Sequence, residues 1–191
     1  MKHKWPLYLL AFMLLLPASR CEKDNPDPQD QREPLPPATQ DGRGTFACYV
    51  NDKAFIGRPY NCFFQYDPQN GRYYLSLTGN YNEYKDNINY PWSIGIDVSY
   101  NTWQISNDTL FYLMVFIDSI NSAEGNIFIS RTVSDSKFSH TDSTLTGELH
   151  ITRFDLQEYI VSGTFWFNVL NPYTGDTLHI TDGRLDVRIS N

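Results

Sequence analysis

The feature that most limits the fold is a two-residue alternation of apolar side chains. In YPWSIGIDVSY the residues Ile94, Ile96, Val98 and Tyr100 fall on one side of the chain, and GELHIT repeats the pattern through Leu149 and Ile151. Successive side chains of a strand point to opposite faces, so this is the signature of a sheet with one face buried. No stretch carries the three-to-four-residue repeat of a helix. LFYLMVFI, from Leu110 to Ile117, is apolar on both faces, and its aromatic and β-branched content predicts a central strand. Turn formers punctuate the rest at Asn51-Asp52, Asp67 to Gly71, Asn107-Asp108, Glu124-Gly125 and Asn171 to Asp176. The stretch from Thr45 to the end, residues 45–191, is long enough for one substantial core. The expected fold is therefore a single all-β antiparallel domain of about 8–10 strands, a β-sandwich or flattened β-barrel with mostly hairpin connections.

The carboxyl-terminal region supports a more detailed expectation. In TLHITDGRLDVRI the pair Asp182-Gly183 separates two alternating runs, the strongest short hairpin signal, because a type I′ turn needs positive φ at both central residues. A two-residue loop there pairs Thr181 with Arg184 and sets Ile180 opposite Leu185 and Leu178 opposite Val187. With Val161, Phe165, Phe167 and Val169 on one face upstream, residues 145–189 read as a meander of four strands.

The amino-terminal region specifies location. Lys2, His3 and Lys4 precede an apolar run from Trp5 to Leu16 and the small residues Ala18 and Ser19, the three-part pattern of a secretory signal peptide over residues 1–20. The run is shorter than the roughly 20 apolar residues a membrane-spanning helix requires. Leu16-Pro17-Ala18-Ser19-Arg20-Cys21 resembles the lipobox of bacterial lipoproteins, with Arg20 standing where a small uncharged residue is usual. That resemblance implies that Cys21 is lipidated and becomes the first residue of the mature chain, anchored through two or three acyl chains. Residues 21–44, mixed in charge and rich in proline between Pro26 and Pro37, have no apolar cluster to pack and are expected to form a disordered tether, leaving 45–191 as the folded domain.

Three stretches carry a resemblance to a family. LPPATQDGRGTFACYVND at 35–52, ITRFD at 151–155 and YIVSGTFWFNVLNPYTGDTLHITDGRLDV at 159–187 are similar to motifs of an uncharacterised family of Bacteroidetes lipoproteins. That family opens PPATQ-G-TF-C-VN and closes SGTF-F…G…ITDGRFDV; Leu185 stands here in place of the more usual Phe. The resemblance covers both ends of the domain and leaves 57–145 largely unmatched. It implies no activity, but it implies an address: Cys21-Glu22-Lys23-Asp24 looks like the signal that sends such lipoproteins to the outer face of the outer membrane. It also brings in the O-glycan acceptor pattern of that group, Asp followed by Ser or Thr and then an aliphatic residue or Thr. The pattern occurs at Thr109, Ser119, Ser143 and Thr177.

Charge and chemistry narrow the function. The formal charge is −7; residues 1–20 hold Lys2, Lys4 and Arg20 and no acid, so the mature chain carries −10. Such a chain has no electrostatic attraction to a phosphate backbone, which argues against nucleic acid as a partner. Cys48 and Cys62 are far enough apart for a disulfide in an oxidising compartment, but Cys48 lies in the apolar run TFACYV and reads equally well as a small buried hydrophobe. His140, His150 and His179 have neither the helical spacing nor the Cys-x-x-Cys neighbourhood of a metal site, and no nucleophile elbow, phosphate loop or calcium loop occurs. No cofactor, metal or enzymatic activity is expected. Tyr60, Tyr66, Tyr81, Tyr84, Tyr90, Trp92, Tyr100 and Trp103 crowd the unmatched middle, and of these Tyr81, Tyr84, Trp92 and Trp103 are the candidate platforms for a glycan or other small ligand. The competing expectation is a structural or protein-interaction subunit of a cell-surface assembly.

Overall fold

Asn51 and Asp52 both adopt left-handed φ (47° and 65°) and turn β1 (Thr45–Val50) directly into β2 (Lys53–Pro59), with Val50 paired to Lys53. This is the I′ hairpin chemistry expected further along the chain. The structure, a computed structural model, describes residues 32–190 except 86–87, 102–104, 115–121 and 133, and for 82–91 the strand backbone alone. The signal segment, Cys21 and the tether as far as residue 31 lie outside the described residues.

Nine further strands follow: β3 (Phe63–Asp67), β4 (Arg72–Lys85), β5 (Ile88–Tyr100), β6 (Thr109–Leu113), β7 (Ser122–Thr132), β8 (Asp135–His140), β9 (Gly147–Asp155), β10 (Ile160–Leu170) and β11 (Thr177–Arg188). All eleven join one antiparallel sheet in the order β6-β9-β10-β11-β1-β2-β4-β5-β7-β8, with β3 on the remaining length of β4. The fold is all-β, as the alternation requires.

The sheet folds over where β2 meets β4 through only Arg58–Asn80 and Pro59–Gly79. A front layer (β6, β9, β10, β11, β1, β2) thus faces a rear layer (β3, β4, β5, β7, β8). Ring contacts cross between them: Phe64 of β3 meets Phe154 of β9 edge-on at 5.9 Å, and Tyr100 of β5 meets Phe111 of β6 at 5.4 Å. The fully buried Phe46, Leu77, Ile94, Ile96, Ile127, Leu149, Ile151, Phe167 and Ile180 fill the interior from both layers. Close packing of this kind excludes water from apolar surface on two faces at once.

Four local expectations are corrected. Asp182-Gly183 is not a hairpin turn: β11 runs unbroken, and the pair forms a bulge in it. Phe165 pairs with Gly183 and Phe167 with Ile180, so one residue of β10 faces two of β11, and the same slip appears against β1 between Ala47 and Tyr49. Only Asp182 takes positive φ (51°); Gly183 is needed because a Cβ there would run into the Phe165 carbonyl and ring. The expected four-strand meander is consequently three strands. The described part of LFYLMVFI forms β6 at the end of the strand order rather than a central strand, with Phe111 and Leu113 buried and Leu110 and Tyr112 exposed. Glu124-Gly125 lies inside β7, not in a turn, because Phe167 from the front layer packs over Gly125.

The fourth correction concerns residues 32–44, expected to belong to the tether. They lie as a strap across the outer face of the front layer. The Asp186 carboxylate receives five hydrogen bonds, from the Thr39 hydroxyl (2.6 Å), the Asp41, Gly42 and Arg43 amides (2.7–3.1 Å) and the Ser162 hydroxyl (2.7 Å). Gly42, at φ 69°, lets three successive amides converge on one carboxylate. Arg184 donates to the Pro36 carbonyl, the Tyr49 hydroxyl to that of Glu33, and the Arg32 guanidinium lies 4.0 Å from the Tyr49 ring centroid. The compact unit accordingly begins at Arg32 rather than Thr45. Cys48 and Cys62 are buried free thiols.

Candidate functional site

Two cross-strand rows on the outer face of the front layer build the site. Tyr112, Glu148 and Trp166 stand side by side on β6, β9 and β10, and Leu110, His150, Thr164 and Arg184 form the next row across β6, β9, β10 and β11. Phe165 and Phe167 face the core, so alternation obliges Trp166 between them to face out, where it is 40% exposed. Its indole N–H donates to Glu148 Oε2 at 3.1 Å, which fixes the ring over the strand.

Beside Trp166 lies an open groove of about 410 Å³, walled by Glu148, His150, Thr164, Asp182, Arg184 and Ala38 of the strap. The β11 bulge turns Asp182 outward into this wall, with Arg184 two residues on. His150 Nε2 lies 3.7 Å from Asp108 Oδ1 at the rim. The groove therefore offers an aromatic face, carboxylates, a guanidinium, an imidazole and a hydroxyl within one concavity, a set that can hydrogen-bond a polyhydroxylated ligand around its edge while an apolar face stacks on the indole.

The aromatics singled out in the sequence lie elsewhere. Tyr81 and Trp92 are direct partners across β4 and β5 and continue the inward rows of Leu77 and Ile94. Trp92 packs on the core at the end of the interior, whereas Tyr81 meets the Phe55 ring at 5.8 Å and stays 41% exposed, away from the groove beside Trp166. Trp103 and the side chain of Tyr84 lie outside the described residues. Of the candidate O-glycan acceptors, Thr109 is half-buried, its hydroxyl donating to the Ser106 carbonyl at 2.8 Å, and Thr177 is half-buried where β11 starts. Ser143 is exposed in the loop after β8, beside an Asp142 carboxylate that the Thr144 hydroxyl, followed by the Leu145 and Thr144 amides, holds below its usual pKa. Ser119 lies outside the described residues. His150 and His179 point outward, as their strand positions imply.

Trp166 was legible in principle: a Trp between two inward Phe residues on an alternating strand has nowhere to go but solvent. The partners Glu148, Asp182 and Arg184 come from three strands whose neighbourhood no local pattern reveals. Comparison with protein families, curated proteins and solved structures finds no match to this chain.

Proposed function

We propose that the protein is a lipid-anchored, exported β-domain that binds a glycan in the groove beside Trp166 on the outer face of the front layer. The observation that carries this reading is the half-exposed indole, oriented by Glu148, flanking a groove whose walls supply hydrogen-bonding groups of both charge signs. A sugar ring presents an apolar C–H face and a rim of hydroxyls, which is the complement of that arrangement. The lipobox-like Cys21 and the preceding signal pattern support export and anchoring at the outer membrane, facing the cell exterior. Binding of this kind needs no cofactor.

The test is a glycan-array and titration screen with the full chain, comparing wild type with Trp166→Ala. Trp166 lies outside the core, so the variant should keep its thermal transition while losing array binding by about tenfold or more, the loss expected for one aromatic stacking anchor. Glycan binding that survives Trp166→Ala would place the site elsewhere. A second reading rests on Leu110 and Tyr112, 46% and 63% exposed on β6 next to the same groove, which suit a protein partner. Capture of a defined surface protein that Tyr112→Ala abolishes, with no glycan bound, would favour that reading.

A further inference from the structure

The rear layer carries a different groove on its own outer face, of about 470 Å³. Two cross-strand rows form its floor, Ser76–Asp97–Glu124 and Tyr74–Ser99–Ser122, drawn from β4, β5 and β7, and Phe63 and Gln65 of β3 contribute to its wall. Asp97 and Glu124 stand directly opposite each other. Like charges in that relation oppose folding, with their Cβ atoms about 5 Å apart. Burial, together with the Asp97 charge, raises the pKa of the Glu124 carboxyl, and only His140 pulls it the other way. Asp97 is held in place by the Asn126 side-chain amide, 2.6 Å from its Oδ2.

A second observation is independent of the acidic pair. Ser99 is 9% exposed, shares the outward face of Asp97 on β5 and lines this groove, yet its hydroxyl has no hydrogen-bond partner among the described residues. A buried hydroxyl left unpaired costs about 1–3 kcal/mol, so a ligand that reaches it recovers an interaction the fold has left open.

We propose that this groove binds the ammonium group of a small primary amine, between the carboxylates of Asp97 and Glu124 and the hydroxyl of Ser99. An ammonium carries three N–H donors, and these three side chains present three acceptors. A calcium ion would need six to eight oxygens, and among the described residues no group of three or more acidic, histidine or cysteine side chains is arranged to hold a metal ion. The groove has volume to spare beyond a single ion, and the Tyr74 ring offers the carbon skeleton of the amine a surface to lie on. Bound there, the cation separates two carboxylates that otherwise repel and replaces the missing partner of Ser99.

The experiment is calorimetric titration of the full chain with glucosamine, putrescine, N-acetylglucosamine and calcium chloride. Glucosamine or putrescine should bind; glucosamine alone would point to a ring-bearing amine and putrescine alone to a linear one. N-acetylglucosamine, which has the same ring without the charge, should not bind in this groove. Glu124→Gln should weaken amine binding about tenfold or more, and Ser99→Ala, which removes a single oxygen, by a comparable factor. Glu124→Gln also relieves the like-charge contact, so its melting temperature should not fall, which separates loss of binding from loss of fold. Absence of amine binding, amine binding unchanged in both variants, equal binding of the N-acetylated sugar through Glu124, or calcium binding that Glu124→Gln abolishes would each overturn the proposal.

Discussion

Replacing Asp186 by Asn tests whether the strap is a structural part of the domain. In the native protein Oδ1 accepts from the Gly42 amide and the Ser162 hydroxyl, and Oδ2 from the Thr39 hydroxyl and the Asp41 and Arg43 amides. Asparagine turns one of these oxygens into an NH₂ group, so at least one backbone amide loses its acceptor whichever way the side chain is oriented. A buried donor without a partner costs about 1–3 kcal/mol, and loss of the charge weakens the hydrogen bonds that remain. The titration behaviour gives a second measure of the same interaction. Burial of Asp186 works to raise its pKa, but the hydrogen bonds from Thr39, Arg43, Ser162 and Gly42 outweigh that and hold it at about 2 instead of 3.8. At roughly 1.4 kcal/mol per unit, this is on the order of 2 kcal/mol. Asp186→Asn should therefore destabilise the domain by about 2–4 kcal/mol in urea denaturation and lower the melting temperature on the order of 10 °C. Because the folded pKa is depressed, the contribution is complete above pH 3.8 and fades as pH falls toward 2, so the stability curves of wild type and variant should converge over that interval. Trypsin should also cut after Arg43 in the variant and spare that bond in the native protein. A loss below about 1 kcal/mol at neutral pH, or a difference that persists unchanged into acid, would refute the argument.

Other perturbations probe other links. Gly183→Val drives a side chain into the Phe165 carbonyl and ring and should cost about 1–3 kcal/mol, read from the urea midpoint; an unchanged midpoint would mean that the bulge does not bring β10 and β11 together in this way. Burial pushes the thiol pKa of both Cys48 and Cys62 up, so neither should react with a thiol reagent in the native state, and both should titrate in denaturant; fast native labelling of Cys48 would contradict its place in the core. On the proposed anchoring, Cys21→Ser should move the protein from the detergent phase to the aqueous phase, and identical partitioning of the two forms would remove the lipoprotein reading.

The alternation in YPWSIGIDVSY and GELHIT was readable because it is local: Ile94, Ile96, Val98, Leu149 and Ile151 all point inward as their spacing requires. The Asp182-Gly183 signal misled for a definite reason. A two-residue turn and a one-residue bulge both carry the inward set from Leu178 and Ile180 to Leu185 and Val187, so the pattern alone satisfies either. What decides between them is β1, more than 130 residues away in the chain, which takes the far edge of β11 and keeps it extended. The strap escaped detection because it docks by aiming polar backbone at one carboxylate, and a hydrophobicity pattern has no access to such an interaction. Of the candidate site, Trp166 could be found from its two Phe neighbours. The Asp97–Glu124 pairing could not, since it depends on the register between β5 and β7.

The position of β11 has a consequence for how the protein can be made. The last long strand lies in the middle of the front layer, between β10 and the first strand, and Ser190 beyond it exchanges backbone hydrogen bonds with Cys62 and Phe64. Until those final residues have been synthesised, β1 is paired on its β2 side alone and the strap lacks the Asp186 carboxylate it docks on, and the contacts that close the front layer span nearly the whole length of the domain. Such long-range pairing is slow to nucleate and cannot be completed by a nascent fragment. The front layer of such a chain stays incomplete while it is being extended, which, on the proposed export, would suit passage through a translocation channel. The strand order also makes a truncation at residue 176 comparable to the loss of the first strand, because either one strips the other of one of its two neighbouring strands.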